Sequence, residues 1–171
     1  VGLPCILKPA HGGGWKSVSK CESVEELIHE LDQSGTQVMM VQEFIDWTAY
    51  ARLLCVGKDE VWVAPWNPLL PHHERYSHAD FGFDDKLEAK MLKEGRHINH
   101  ILGYDMNTVE FAIRDGIPYA IDFTNTAPDF DRASLTPECF DWTVKKMADF
   151  TIGLADKEGT TRPRRWDTIM G

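Results

Sequence analysis

Val109-Glu110-Phe111-Ala112-Ile113-Arg114-Asp115-Gly116-Ile117-Pro118-Tyr119-Ala120-Ile121-Asp122-Phe123 is the stretch that decides the fold. Apolar residues alternate on both sides of an Asp-Gly signal, the pattern of two antiparallel strands with one buried face. Val109, Phe111 and Ile113 share one face; Tyr119, Ile121 and Phe123 share one face of the returning strand. If both sets cover the same core, 109 pairs with 123, 111 with 121 and 113 with 119, around a loop Asp115-Gly116-Ile117. A tight two-residue Asp-Gly turn would shift that register. The pairing sets Glu110 opposite Asp122 and Ala112 opposite Ala120. Carboxylates so placed lie ~5 Å apart and, at an effective dielectric near 20, repel by roughly 3 kcal/mol. A hard divalent cation relieves that repulsion, and Mg²⁺ takes one or two carboxylates together with substrate phosphates. The competing reading is a solvated acidic face in which water screens both charges.

Working outward, Thr136-Pro137 is an N-cap followed by proline at N1, and opens a last helix to about Leu154. Upstream, Asp84 opens a helix to Leu102 with apolar positions at Leu87, Met91, Ile98, Ile101 and Leu102. Gly95 weakens its middle by roughly 1 kcal/mol relative to Ala. Ala51–Val56 and Val61–Ala64 read as strands joined at Gly57-Lys58-Asp59, and Trp66–Phe83 as irregular chain. The N-terminal part reads as β-loop-α-β. It has a strand Pro4–Lys8, a loop His11–Lys16, a helix opened by Ser23 with Glu26 at capping-box spacing, and a strand Val38–Val41. Val24, Leu27, Ile28 and Leu31 form that helix's apolar stripe. The fold class is therefore α+β. The expected division is a small lobe over residues 1–46, a larger lobe over 47–155, and a charged tail over 156–171.

The chain has 171 residues, 43% of them hydrophobic, which is enough to bury a core and excludes disorder as its main state. No apolar run approaches the ~20 residues of a membrane helix, and no signal-peptide pattern opens the chain. Lys and Arg total 18 against 27 Asp and Glu, a net charge of -9. This disfavours nucleic acid as a partner, and the want of a long apolar run disfavours a membrane. Cys5, Cys21, Cys55 and Cys139 form no C-x-x-C and are expected as free thiols of a cytoplasmic protein.

Gly12-Gly13-Gly14 follows a strand ending in Lys8-Pro9. Three glycines let backbone N–H groups close on an anion, and a lysine at the strand end is a natural phosphate partner. The spacing is neither that of a P-loop nor that of a dinucleotide fingerprint. A mobile surface loop is the other reading of three glycines.

In order, Pro4-Cys5-Ile6-Leu7-Lys8-Pro9, the glycine loop, the capped helix, Val41-Gln42-Glu43-Phe44-Ile45 and Arg52-Leu53-Leu54-Cys55-Val56-Gly57 lead to Val109-Glu110-Phe111 and Ile121-Asp122-Phe123-Thr124-Asn125. This series resembles the ATP-grasp superfamily over about residues 3 to 153. The similar branch holds the ribosomal-protein glutamate ligases and the D-alanine–D-alanine ligases. The resemblance implies that Lys8 touches the nucleotide phosphates and that Gly12, Gly13 and Gly14 fold over them. It implies that Glu43, Phe44 and Ile45 offer backbone to the adenine edge, that Ile6 packs on the ring, and that Asp46 serves the ribose. Glu110 and Asp122 would bind the Mg²⁺ that bridges the phosphates of ATP. The family spaces its last acidic ligand and its Asn two apart, whereas Asp122 and Asn125 are three apart. Asn125 is thus a ligand only if the strand bulges or ends there; otherwise Thr124 shares the face of Asp122. The family also carries an additional N-terminal domain, so the chain resembles the C-terminal two-thirds of a larger enzyme.

Arg52, on a strand near the phosphates, and Arg75, in the irregular segment, are the candidates for acyl-phosphate or carboxylate contact. His72, His73, Glu74 and His78 suggest a transition metal, but adjacent histidines on extended chain point to opposite sides. Trp47, Trp62, Trp66 and Trp142 read as packing. The expected activity is that of an ATP- and Mg²⁺-dependent carboxylate–amine ligase acting through an acyl phosphate on small-molecule carboxylate and amine substrates. The alternative is a nucleotide-binding module or kinase-like relative without ligase activity. Exposed apolar surface on such a lobe leaves a homodimer open.

Overall fold

The computed structural model describes residues 1–125 and 127–155; the expected tail at 156–171 lies outside them. Backbone contacts divide the chain into one unit of Val1–Asp46 and another from Trp47 onward. In the first, β1 (Cys5–Pro9), β2 (Ser19–Cys21), α1 (Val24–Gln33) and β3 (Met39–Glu43) form a three-stranded antiparallel sheet in the order β2-β1-β3 with one helix. β2 is missed by the sequence pattern because Ser-Lys-Cys is too short and polar to display a period of two. Cys5, Leu7 and Cys21 are buried, with Leu27 and Met39 packed against them. Ser23 caps α1, its hydroxyl accepting from the Glu26 N–H at 3.1 Å. The Glu26 carboxylate accepts from the Glu22 N–H at 2.7 Å, one residue ahead of the reciprocal partner in a strict capping box. The expected apolar stripe of α1 is only partly used: Leu27 packs, while Val24, Ile28 and Leu31 are exposed. Only that part of the stripe meets the small core of this unit.

The second unit is built on β4 (Ala49–Val56), β5 (Glu60–Pro65), α2 (Asp85–Leu102), β6 (Met106–Arg114), β7 (Ile117–Asp122) and α3 (Pro137–Ala155). Its sheet is antiparallel in the order β5-β4-β6-β7. One face carries Ala51, Leu53, Cys55, Val109, Phe111 and Ile113, buried with Met91 of α2 and flanked by Leu87 and Ile98. The opposite face carries Tyr50, Arg52 and Leu54 of β4 with Thr108 and Glu110 of β6, since side chains alternate along a strand. Trp142 of α3 meets Trp62 of β5, with ring centroids 5.6 Å apart.

Two expectations are corrected here. The hairpin turns through Asp115-Gly116 alone, both at positive φ (53° and 70°), the geometry of a tight type I′ turn. Phe111 therefore opposes Ala120, Ala112 opposes Tyr119 and Ile113 opposes Pro118, one residue off the pairing that the apolar sets suggest. A bulge beyond Phe111 absorbs one residue of β7, and Glu110 again faces Asp122. The second correction concerns Gly95. It is buried where α2 lies against β4, and a Cβ there would run into the Leu53 side chain. Close approach, not a tolerated weakness, accounts for this glycine. Gly95→Ala gains ~1 kcal/mol of helix propensity but overpacks a filled core at a cost of about 1–3 kcal/mol. A net loss on the order of 1 kcal/mol is expected in urea unfolding; a raised midpoint would mean that Leu53 swings aside freely.

Candidate functional site

In the second unit the polar face of β4 and β6 gathers around Arg52 and Glu110, which are direct cross-strand partners. Both are buried, at 7% and 8% exposure, although they are ionisable side chains in mid-sheet. Arg52 Nε lies 3.6 Å from Glu110 Oε1, an ion-pair contact without a hydrogen bond through that nitrogen. The other carboxylate oxygen, Oε2, accepts from the Tyr50 hydroxyl at 3.0 Å. Arg52 also donates through Nη2 to the Thr108 hydroxyl at 3.3 Å. Burial alone would lower the Arg52 pKa, but the neighbouring Tyr76 and then Glu110 outweigh it and hold the guanidinium charged.

Asp122 faces Glu110 across the β6–β7 rung and is exposed. One carboxylate of the pair is thus held from the protein side and the other is open to solvent. β7 ends at Asp122, so the alternation that favoured Thr124 stops there. Thr124 is exposed, whereas Asn125 turns back on β6. Its amide donates to the Thr108 hydroxyl at 3.1 Å, and its backbone N–H donates to Asn107 Oδ1 at 3.1 Å. Arg52, Thr108 and Asn125 therefore form one hydrogen-bonded row beside Glu110. Among the described residues no group of three or more His, Cys, Asp or Glu side chains is set to hold a metal ion. Two carboxylates and one amide remain oxygen donors of the kind a hard cation takes.

The irregular segment supplies the wall. The Trp66 N–H donates to Tyr50 O at 3.1 Å, and the Asn67 N–H donates to Arg75 O at 2.8 Å. Trp66 is fully buried, with the Arg52 and Arg75 guanidinium carbons 5.2 and 5.3 Å from its ring centroid. Arg75 donates through Nε to Leu70 O at 3.0 Å. Burial lowers its pKa, Glu110 opposes that, and the like charge of Arg52 adds to it. His72 contacts Asp129 at 2.9 Å and Ser134 at 3.2 Å through the same ring nitrogen, and His73 contacts Glu74, so these histidines do not converge on one ion. Tyr50 and Thr108 are contributors that sequence reasoning missed; Trp66, read as packing, is buried and also carries the Arg52 and Arg75 guanidinium groups against its ring. Tyr50 was reachable, being two residues from Arg52 and so on its face.

Burial pushes the Tyr50 hydroxyl well above its usual pKa, and the Glu110 charge adds to the effect. Burial likewise raises Tyr76, against the opposing charge of Arg52. Unfolded phenols ionise near pH ~10. The folded protein holds these protons to higher pH, so this stability is complete below that value and is lost as pH rises beyond it. Two of the four tyrosines should therefore gain phenolate absorbance only together with alkaline unfolding; early titration of all four would contradict the burial of Tyr50 and Tyr76.

In the first unit Cys5 and Leu7 point into the core, so Ile6 and Lys8 of β1 take the opposite sheet face. Ile6 pairs with Lys20 and Gln42, and Lys8 with Met40. Lys20 Nζ stands 4.2 Å from the Phe44 ring centroid. Gly12, Gly13 and Gly14 are exposed; Gly12 and Gly14 have positive φ (153° and 70°). Ile45 is buried, while Glu43 and Asp46 are exposed. A cleft lined by Leu7, Ser17, Ser19 and Glu30 includes none of the predicted nucleotide residues.

A small α/β unit with a glycine loop and a larger unit with an antiparallel sheet and paired carboxylates are the elements of the ATP-grasp fold, and solved structures match the chain in fold. The D-alanine–D-alanine ligase of Bacillus anthracis complexed with ATP superposes with a TM-score of 0.72 at 18% identity, over 92% of this chain and 55% of that one. The VanG D-Ala:D-Ser ligase of Enterococcus faecalis gives 0.66 at 20% identity, over 88% and 49%. The chain has the ATP-grasp fold. In sequence it is similar to the D-alanine–D-alanine ligase of Flavobacterium johnsoniae, 25% identical over 154 residues, covering 81% of this chain and 47% of the relative. The chain thus spans about half the length of the curated relative it matches. No family model matches it.

Proposed function

We propose that this chain carries the nucleotide and metal half of an ATP-dependent carboxylate–amine ligase. The observation that supports this best is the rung of Glu110 and Asp122, with Arg52, Thr108 and Asn125 beside it on one face of an ATP-grasp sheet. Bound Mg²⁺ would supply neutralisation of phosphate charge, held by Glu110, Asp122 and Asn125. Arg52 Nε, buried without a hydrogen-bond partner among the described residues, is a donor suited to a phosphoryl or acyl-phosphate oxygen. Arg75, which also lies against the Trp66 ring, suits the carboxylate substrate. Lys8, Gly12, Gly13 and Gly14 are assigned to the nucleotide phosphates, and Ile6, Glu43, Phe44, Ile45 and Asp46 to adenine and ribose. The substrate carboxylate would take up the γ-phosphoryl group, and an amine would then displace phosphate. Positioning and charge stabilisation then do the catalytic work, without a nucleophilic side chain.

The test is ADP release from ATP by the protein carrying this chain, across a panel of small carboxylates and amines, D-alanine included, with Mg²⁺. ADP and phosphate formed only when both substrates are present are expected. Mg²⁺-ATP binding without turnover across the panel would favour a nucleotide-binding module.

A further inference from the structure

Cys5 and Cys21 are direct cross-strand partners on β1 and β2. Both are buried as free thiols in the same small cluster with Leu7, at 2% and 0% exposure. Directly opposed residues on antiparallel strands have Cα atoms about 4.5–5.5 Å apart, inside the window a disulfide requires. Cys55 and Cys139 have no such partner: Cys55 faces Val61 and Asn107 across its sheet, and Cys139 lies on α3. The segment between Cys5 and Cys21 contains the whole glycine loop.

We propose that Cys5 and Cys21 are a dithiol modification site at the base of the glycine loop, oxidised by peroxide to one intramolecular disulfide. β2 is three residues long and lies at the sheet edge, so it opens more readily than β1, which is paired on both sides. Opening bares Cys21 first. Its thiolate attacks one peroxide oxygen, the O–O bond breaks, and Cys21 becomes a sulfenic acid as water leaves. When the strand closes, the Cys5 sulfur attacks the Cys21 sulfur and a second water leaves. In sum, two thiols and one hydrogen peroxide give one disulfide and two waters. The thiols lose two electrons, and the peroxide is reduced. Burial raises the Cys21 pKa, and Cys5 and the acidic Glu30 and Glu26 raise it further, which makes the reaction slow and confines it to oxidant exposure. The product ties the two ends of the loop together and removes the edge-strand opening. This inference does not depend on the ligase reading.

The experiment reduces the native protein, exposes it to stoichiometric hydrogen peroxide, unfolds it in alkylating reagent and maps all four cysteines by mass spectrometry. The expected result is a Cys5–Cys21 disulfide with Cys55 and Cys139 alkylated. Amide exchange across residues 5–21 should slow by about tenfold or more in the oxidised form. In Cys5→Ser, Cys21 should stop at sulfenic acid with one equivalent of peroxide, advance to sulfinic acid with a second, and form no intramolecular bridge. Wild-type protein with all four thiols alkylatable, with Cys21 overoxidised, or with another pairing would overturn the proposal. Mapping the wild type decides it even if the variant fails to fold.

Discussion

Arg52→Met is expected to lower the unfolding free energy by about 3–5 kcal/mol, the cost of breaking a buried pair by removing one partner. Glu110 would then be left at 8% exposure without its guanidinium partner, its Oε2 still accepting from the Tyr50 hydroxyl, and Thr108 would lose a bond. Cross-strand pairing places this ion pair at the centre of the sheet, so the loss falls on the cooperative core and not on an edge. Urea unfolding measures it. Arg52→Lys should recover part of the stability, because a point charge replaces the attraction to Glu110. If the chain acts as proposed, Arg52→Lys should recover little turnover, because an ammonium cannot match the planar fork that meets Thr108 and Glu110. Arg52→Met with wild-type stability would mean that Glu110 is protonated or hydrated in the folded protein, and the electrostatic account of the site would fail.

Legibility in the sequence varied with the kind of information. Glu110 and Asp122 were placed opposite one another from alternation alone, and the structure has them so. That agreement hides two compensating departures. The Asp-Gly turn is tighter than the apolar sets suggest, and a bulge returns the displaced residue before the carboxylates. A pattern of period two reports which residues share a face, but it cannot count a bulge, which leaves the composition unchanged. Asn125 was undecided for the same reason, since its position depends on where β7 stops. The helix boundaries at Asp84 and Thr136 were readable because caps are local chemistry. The aromatic wall of Trp66 was not, because it comes from an irregular segment folded over the sheet, and contacts distant in sequence leave no periodic trace. Gly95 was misread as a weak helix position because propensity describes an isolated helix, and here Leu53 leaves no room for a Cβ.

Asp122→Asn is expected to leave the unliganded protein within about 0.5 kcal/mol of wild type, as for an exposed side chain whose charge water screens. Its neighbour on the same rung should behave otherwise. Glu110→Gln strands the Arg52 guanidinium in the sheet without its counter-charge, and a loss of about 3 kcal/mol is expected. The ~3 kcal/mol of repulsion that the bare sequence suggests between these carboxylates is largely absent, because Arg52 neutralises one and solvent screens the other. Both variants should weaken Mg²⁺-ATP binding by tenfold or more if both carboxylates serve the cation. For Asp122→Asn this loss arrives with an unchanged fold, which separates ligand binding from stability in a single substitution. Asn125→Ala should be intermediate, since it removes an amide that also braces Thr108. Apo unfolding midpoints and calorimetric Mg²⁺-ATP affinities of the three variants decide the matter. Asp122→Asn with undiminished affinity, whatever its stability, would remove this carboxylate from the proposed metal site, and the same result for Glu110→Gln would leave Glu110 as a purely structural partner of Arg52.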